Sequence, residues 1–177
     1  MATKEKYHEL AQKLQRQMAS ISDDSNNKEV DELLNTFLEF GMCFDACCEH
    51  LPDTALLDFT TANKAAARTI CSALGHYFLI MSSAIFYVYE DGDEAECKLA
   101  EICRARSGLE YFVEFFEARL REFDSKKFDE WYNTEVDIPS FDKSLREKIK
   151  RNPILRKYRI PGDIPDSHWW WQLPSDW

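Results

Sequence analysis

One long uncharged stretch constrains the fold of this chain more than any other feature of its sequence. Between Arg68 and Glu90 no side chain carries a fixed charge, and most residues are apolar. A helix that is apolar on nearly every side is buried either by other helices or by lipid. The stretch therefore predicts a central hydrophobic helix over about residues 64–90. The sequence leaves two environments open for this helix. It forms either the core of a helical bundle or a membrane span over residues 69–89.

Other segments favour the bundle, because they carry apolar faces that need something to pack on. Apolar residues recur every three or four positions near residues 3–21, 28–50 and 94–123, as expected for the buried faces of helices. Only 5 Gly and 6 Pro occur in 177 residues, and most of the prolines follow Asn152. Few residues before that point would break a helix. The sequence predicts an all-α bundle of four long helices, plus short helices and an irregular C-terminal arm.

A change in composition near residue 135 predicts how the chain is divided. We expect residues 1–135 to form the helical bundle and residues 136–177 to form a basic arm rich in proline and tryptophan. The arm would begin with a short basic helix that is capped by Ser140 or Asp142 and ends before Pro153.

The charge of the chain is unevenly distributed, and this limits the kinds of partner it suits. The net charge is −10, yet the segment from Lys143 to Arg159 holds eight basic residues and one acid. That segment is therefore +7 and the remainder is −17. An acidic body disfavours binding to nucleic acid or to anionic lipid. We expect a basic protein partner, or a nucleic-acid-binding protein that is to be blocked.

Six cysteines fall within the predicted helices, without the spacing of a disulfide framework. The N-terminal residues MATKEKYHEL lack the apolar core of a secretory signal. Both observations predict a cytoplasmic protein with free thiols. Cys43, Cys47 and His50 share one helical face and are of the types that bind zinc, but no fourth ligand follows. They are weak metal candidates, and we expect packing cysteines and no cofactor.

Two further sets of residues could carry chemistry. Glu110, Glu114 and Glu117 share a helical face, and carboxylates arranged in this way can hold Mg²⁺. Such a site also needs a second group of acidic residues opposite the first, which the sequence does not establish. A solvated face is the favoured interpretation. His76 lies inside the apolar stretch and could act as a base or a haem ligand. We expect it instead to be a buried, neutral, hydrogen-bonded structural residue.

Arg106 interrupts the apolar stripe of the helix over residues 94–123. An arginine in a buried stripe must find carboxylates or carbonyl groups, because an unpaired buried charge is very costly. Glu110 lies one helical turn later and is the nearest candidate. We predict a structural ion pair that fixes the register of this helix.

The C-terminal sequence holds the strongest candidates for binding a partner. Several tryptophans lie close together there, and so many indole rings are costly to expose to water. They pack either on the bundle of the same chain or on a partner, in which case tryptophan and arginine would dominate the binding energy. The predicted partner-binding residues are Arg156, Lys157, Arg159, His168, Trp169, Trp170, Trp171 and Trp177.

No catalytic motif occurs in the sequence, so its features favour a non-enzymatic cytoplasmic interaction protein. An acidic helical adaptor, inhibitor or accessory subunit fits, including one from a bacterial defence or toxin–antidote system. One alternative is a small metal-dependent helical enzyme or sensor that uses His76 or the carboxylate face. A second is a membrane-anchored effector that spans the bilayer at residues 69–89.

Overall fold

The computed structural model describes residues 4–87, 93–151 and 167–168, and its regular elements are all helical. The four long helices are α1 (Lys4–Ser20), α2 (Asn27–Cys47), α3 (Ala55–Tyr87) and α4 (Asp93–Glu130). Three shorter elements complete the body: a 3₁₀ turn (Cys48–His50), a wide π-type turn (Trp131–Glu135) and α5 (Ile138–Arg151). The predicted all-α bundle with four long helices is confirmed.

The start of α2 is defined by a reciprocal cap. The side-chain oxygen of Asn26 accepts hydrogen bonds from the backbone N–H groups of Lys28 and Glu29, at 3.0 and 3.1 Å. The carboxylate of Glu29 accepts in return from the backbone N–H of Asn26, at 2.9 Å. Backbone N–H groups that lack partners at the helix start are thereby satisfied.

The central helix α3 is longer and less enclosed than predicted. It begins at Ala55 rather than near residue 64. Ile70 and Phe78 are fully buried, but Leu79 and Phe86 are 62% and 59% exposed. The described elements therefore enclose α3 only in part and leave one of its faces uncovered.

The apolar composition of α3 has a second consequence. By length and composition alone, the segment Ala55–Phe86 is the one helix in the described ranges that could cross a membrane. Within its most apolar window, 44% of the residues are buried inside the protein. The buried residues of α3 are packed against α1, α4 and α5.

Two glycines allow α2 and α4 to pack closely. A Cβ atom at Gly108 of α4 would overlap the backbone of Leu34 in α2, and one at Gly41 of α2 would overlap the ring of Tyr111. Around this contact lies a cluster of aromatic rings. Phe40 packs on Phe59 with ring centroids 4.8 Å apart. Other members are Phe37, Phe112, Phe115 and Phe116. This close contact sets the position, relative to α2, of the α4 face that carries Glu110, Glu114 and Glu117.

The long helix α4 changes direction at Asp124, where the backbone leaves helical geometry (φ −164°, ψ 99°). The carboxylate of Asp124 accepts from the backbone N–H of Lys127 at 3.0 Å and so caps the final turns. Phe123, the last member of the predicted buried stripe, is 43% exposed at this break. The break turns residues 125–130 away from the axis of the preceding helix.

The cap of α5 differs from the prediction. Asp137 has a positive φ of 49°, and its carboxylate accepts from the backbone N–H of Ser140 at 3.3 Å. Asp137 therefore takes the capping position that the sequence assigned to Ser140 or Asp142. Buried Phe141, Leu145 and Ile149 hold α5 on the bundle. The division into a bundle and an arm near residue 135 stays a prediction.

Candidate binding groove

An acidic groove of about 800 Å³ lies along α4, between α2 and the wide turn that follows α4. Its charged lining is dominated by five carboxylates: Asp45, Glu110, Glu114, Glu117 and Asp129. Its other lining residues are Val113, Arg121, Phe128, Tyr132, Asn133 and Ser167. We refer to these eleven residues as the acidic groove.

Helical spacing places most of the groove on one element. Glu110, Glu114, Glu117 and Arg121 follow one another at intervals of three or four residues, so they share a face of α4. With a rise of about 1.5 Å per residue, this row extends roughly 16 Å along the helix. The row supplies the floor of an elongated site rather than a compact one.

At the Arg121 end, the protein already binds a guanidinium group. The Nε atom of Arg121 lies 2.8 Å from Glu117 Oε1, and its Nη1 atom lies 2.8 Å from Asp129 Oδ1. The guanidinium carbon sits 4.4 Å from the centroid of the Phe128 ring. Two carboxylates and one aromatic face thus hold a planar cation, a combination that favours arginine over lysine.

At the opposite end, carboxylates crowd together. The hydroxyl of Tyr111 donates to Asp45 Oδ2 at 2.6 Å and holds this carboxylate at the wall of the groove. Burial raises the pKa of Glu114, and the nearby charges of Asp45 and Glu110 raise it further. A cation placed here would relieve this repulsion.

The predicted pair between Arg106 and Glu110 is confirmed, with Nη1 and Oε2 2.5 Å apart. A second partner was not predicted: Asp142 of α5 accepts from Arg106 Nε at 2.8 Å and from Nη2 at 3.1 Å. Burial lowers the pKa of Arg106, but bonding and proximity to Asp142 and Glu110 outweigh this and raise it overall. The ion pair therefore joins α5 to α4 directly behind the acidic groove.

His168 lies on the bundle and not on an open surface. Its side chain is fully buried, and its ring meets that of Tyr111 edge-on with centroids 4.9 Å apart. Burial, with a smaller contribution from the charge of Arg106, lowers the pKa of His168 to about 4. In this arrangement the ring fills a site beside Tyr111, which is the packing of the arm on the bundle that the sequence left open, and the role of His168 in binding a partner stays a prediction.

The other predicted arm residues cannot be placed in the same way. Those that lie outside the described residues are Arg156, Lys157, Arg159, Trp169, Trp170, Trp171 and Trp177. Their role in binding a partner stays a prediction.

The weaker candidates of the sequence are not brought together. His76 is exposed rather than buried, because it lies on the uncovered face of α3. Cys43 and Cys47 are buried in the core, whereas His50 is exposed in the 3₁₀ turn. Burial raises the pKa of Cys47 to about 11, and its neighbour Cys43 adds to the shift. Within residues 4–87, 93–151 and 167–168, no three His, Cys, Asp or Glu side chains form a group that could hold a metal ion.

Sequence reasoning found the row of glutamates but missed the groove. Asp45, Asp129 and Tyr132 come from separate parts of the chain and join the row only through the packing of α2 and the break at Asp124. The positions of the glutamates on one helical face were visible in the sequence. The residues that lie opposite the glutamates could not be identified from the sequence.

The fold and this site together define an all-α bundle with an acidic, partly aromatic groove. The chain matches no protein-family model, no curated protein and no solved structure in the comparisons made with each.

Proposed function

We propose that this protein binds a basic segment of a protein partner in the acidic groove, as an adaptor, inhibitor or accessory subunit without enzymatic activity. One observation carries the proposal: five carboxylates from α2 and α4 line a single elongated groove beside aromatic side chains. A concave site of this charge attracts cations and repels nucleic acid and anionic lipid.

The arrangement around Arg121 indicates which side chains such a segment would carry. Arg121 stacks on Phe128 and bonds two carboxylates of the groove. The half-buried ring of Tyr132 stacks on Phe128 with centroids 6.1 Å apart and extends the aromatic lining of the groove. Asp45, Glu110 and Glu114 supply further carboxylates, so an arginine from a partner would find acceptors there, and its binding would relieve the repulsion at Glu114.

The length of the groove limits the length of the bound segment. An extended chain rises about 3.3 Å per residue, so a row of roughly 16 Å accommodates about five residues. The proposal also places the protein in the cytoplasm, a reducing compartment that suits its six free cysteines. His76, which the enzyme alternative would use as a buried base, is exposed on α3.

The proposal is tested by measuring the affinity of the full chain for a labelled penta-arginine peptide by fluorescence anisotropy. A triple variant, Asp45→Asn, Glu114→Gln and Glu117→Gln, removes charge from the groove with little change in shape. We expect its affinity to be at least tenfold lower than that of the wild type. We also expect the wild-type affinity to fall as salt is added, because the attraction is electrostatic.

The matched control removes the same charge from a surface outside the groove. Glu5→Gln and Glu9→Gln in α1, with Asp23→Asn in the following loop, change exposed residues that do not line the groove. We expect this control to bind within about twofold of the wild type. If the two triple variants lose affinity for the peptide equally, a specific binding groove is refuted. The binding would then depend only on the net charge of −10.

A further inference from the structure

We propose that the uncovered face of α3 joins two copies of this chain into an antiparallel dimer. The contact surface is a line of exposed residues along α3, which we call the seam, and it runs from Ala62 to Phe86. The inference goes beyond the proposed function and does not depend on it, because none of the eleven residues of the acidic groove belongs to α3.

The spacing of the seam is that of a helix which packs against another helix. Its members follow one another at alternating steps of three and four positions: Ala62, Ala65, Thr69, Ser72, His76, Leu79, Ser83 and Phe86. All of them are exposed, and none is an acid, a lysine or an arginine. Residues at this spacing form one line along a helix and interlock with the same line on a second helix. Buried Ile70, Leu74 and Met81 lie on the opposite face of α3, so the bundle and a second copy would occupy opposite sides of the helix.

The seam combines exposed apolar side chains with hydroxyl groups that are already bonded. Leu79 and Phe86 are 62% and 59% exposed. The hydroxyl of Thr69 donates to the carbonyl oxygen of Ala65 at 3.2 Å, and that of Ser83 donates to the carbonyl oxygen of Leu79 at 3.3 Å. Burial of the seam would therefore remove apolar surface from water and leave neither of these hydroxyls without a partner.

Two cations beside the seam make contacts with α4. Lys64 Nζ lies 5.7 Å and the guanidinium carbon of Arg68 lies 5.2 Å from the centroid of the Phe123 ring. Both charges thus have a favourable aromatic contact next to the seam. A second copy would meet an uncharged line of residues and would not have to bury either cation.

The order of residues along the seam favours a second copy of this chain over an unrelated helix. The seam is symmetric about position 74, so two copies in antiparallel orientation bring every member opposite another member. The resulting pairs are Ala62 with Phe86, Ala65 with Ser83, Thr69 with Leu79 and Ser72 with His76. Each pair places a small side chain against one of equal or larger size. A parallel pairing would instead set alanine against alanine at one end and Phe86 against Phe86 at the other.

The size of the seam is sufficient for a reversible dimer. At about 1.5 Å per residue the seam is roughly 36 Å long, and the water-accessible surface of a helix is about 14 Å across. Two such strips bury roughly 1,000 Å² in total, which is near the lower limit for a specific interface. We therefore expect a dimer with a Kd in the micromolar range.

Sedimentation equilibrium of the full chain over a range of concentrations tests the dimer. We expect the mass to rise from that of one chain to that of two. Leu79→Glu places a charge in the seam and should weaken the dimer at least tenfold, and Phe86→Glu supplies an independent variant at the end of the seam. Leu57→Glu is the matched control, since Leu57 is 48% exposed on the same helix but lies outside the seam, and it should leave the Kd within about twofold. Circular dichroism verifies that each variant is folded.

A charge exchange tests the antiparallel pairing. Thr69→Lys alone and Leu79→Glu alone should each weaken the dimer. The double variant places a lysine opposite a glutamate twice in an antiparallel dimer, so we expect it to associate at least tenfold more tightly than either single variant, and less tightly as salt is added. A parallel dimer would set like charges against each other, and a double variant no better than the single variants would overturn the antiparallel pairing.

Three other results would overturn the dimer itself. The first is a wild-type chain that stays a monomer at every concentration. The second is equal weakening by Leu79→Glu and Leu57→Glu. The third is a monomer that co-sediments with phosphatidylcholine vesicles and loses this property in Leu79→Glu, because lipid and not a second copy would then cover the seam. None of these results bears on the binding of penta-arginine in the acidic groove.

Discussion

Arg106 and Asp142 are joined by two hydrogen bonds, although 36 residues separate them in the chain. The Arg106 side chain is only 4% exposed, and the contact fastens α5 to the middle of α4. Because Arg106 also bonds Glu110, one buried cation is shared between two carboxylates. The pairing connects the body of the fold to the back of the acidic groove.

We expect Asp142→Ala to lower the free energy of unfolding by about 2–3 kcal/mol. Breaking a buried ion pair leaves an incompletely compensated charge, although Glu110 retains part of the compensation here. Urea unfolding at pH 7 measures the change. The control is Glu32→Ala, which removes an exposed partner of Lys28 and should cost less than about 0.5 kcal/mol. Equal costs at the two sites would show that the Arg106 pair has no special structural role.

Close packing of α2 on α4 leads to a second expectation. Gly108→Ala places a methyl group into the backbone of Leu34, which cannot move aside as a side chain can. We expect a loss of about 3 kcal/mol or more, or failure to fold. Gly75→Ala is the matched helical control, since the nearest atom to its Cβ is 3.7 Å away. That change should stabilise α3 by up to about 1 kcal/mol. Thermal and urea unfolding of both variants decide the matter, and a well-folded Gly108→Ala would contradict the described packing.

The burial of His168 predicts a dependence of stability on pH. Its pKa is about 4 in the folded protein, below the value of about 6.5 expected when unfolded, so the unfolded chain binds a proton first as pH falls. The contribution to stability is present above pH 6.5 and is lost progressively toward pH 4. Between pH 6.5 and pH 4 we expect the free energy of unfolding of the wild type to fall by up to about 3 kcal/mol more than that of His168→Phe. Parallel curves for the two proteins, measured by urea unfolding, would contradict the burial of a neutral imidazole.

Charge crowding in the groove predicts a trade-off between stability and binding. Burial, Asp45 and Glu110 all disfavour the ionised form of Glu114. We therefore expect Glu114→Gln to raise the free energy of unfolding at pH 7, but only by about a few tenths of a kcal/mol, because the side chain is only partly buried and solvent screens much of the repulsion. The same change should weaken peptide binding. Exposed Glu9→Gln in α1 should alter neither quantity, and a destabilised Glu114→Gln would contradict the described repulsion.

Local patterns in the sequence were sufficient for the helical class and for the Arg106–Glu110 pair. Asn26 and Glu29 define a cap within four residues, and residues one helical turn apart must lie close together on any helix. These inferences need no knowledge of how helices pack. They therefore held in the structure.

The features that sequence reasoning missed depend on contacts between distant segments. The pairing of Asp142 with Arg106, the burial of His168 on Tyr111 and the exposure of His76 all follow from which faces the other helices cover. An apolar stretch indicates that a helix needs burial but not which of its sides is left open. The same limit applies to the groove, whose walls come from α2, α4 and the turn after α4.

The most direct test of the acidic groove is to map penta-arginine binding by amide NMR on the full chain. We expect the largest chemical-shift changes at Asp45 and at residues 110–117 and 128–133, with little change in α1 or on the exposed face of α3. Shifts centred on either of those surfaces, or spread evenly over the acidic surface of the bundle, would contradict a binding site in the groove.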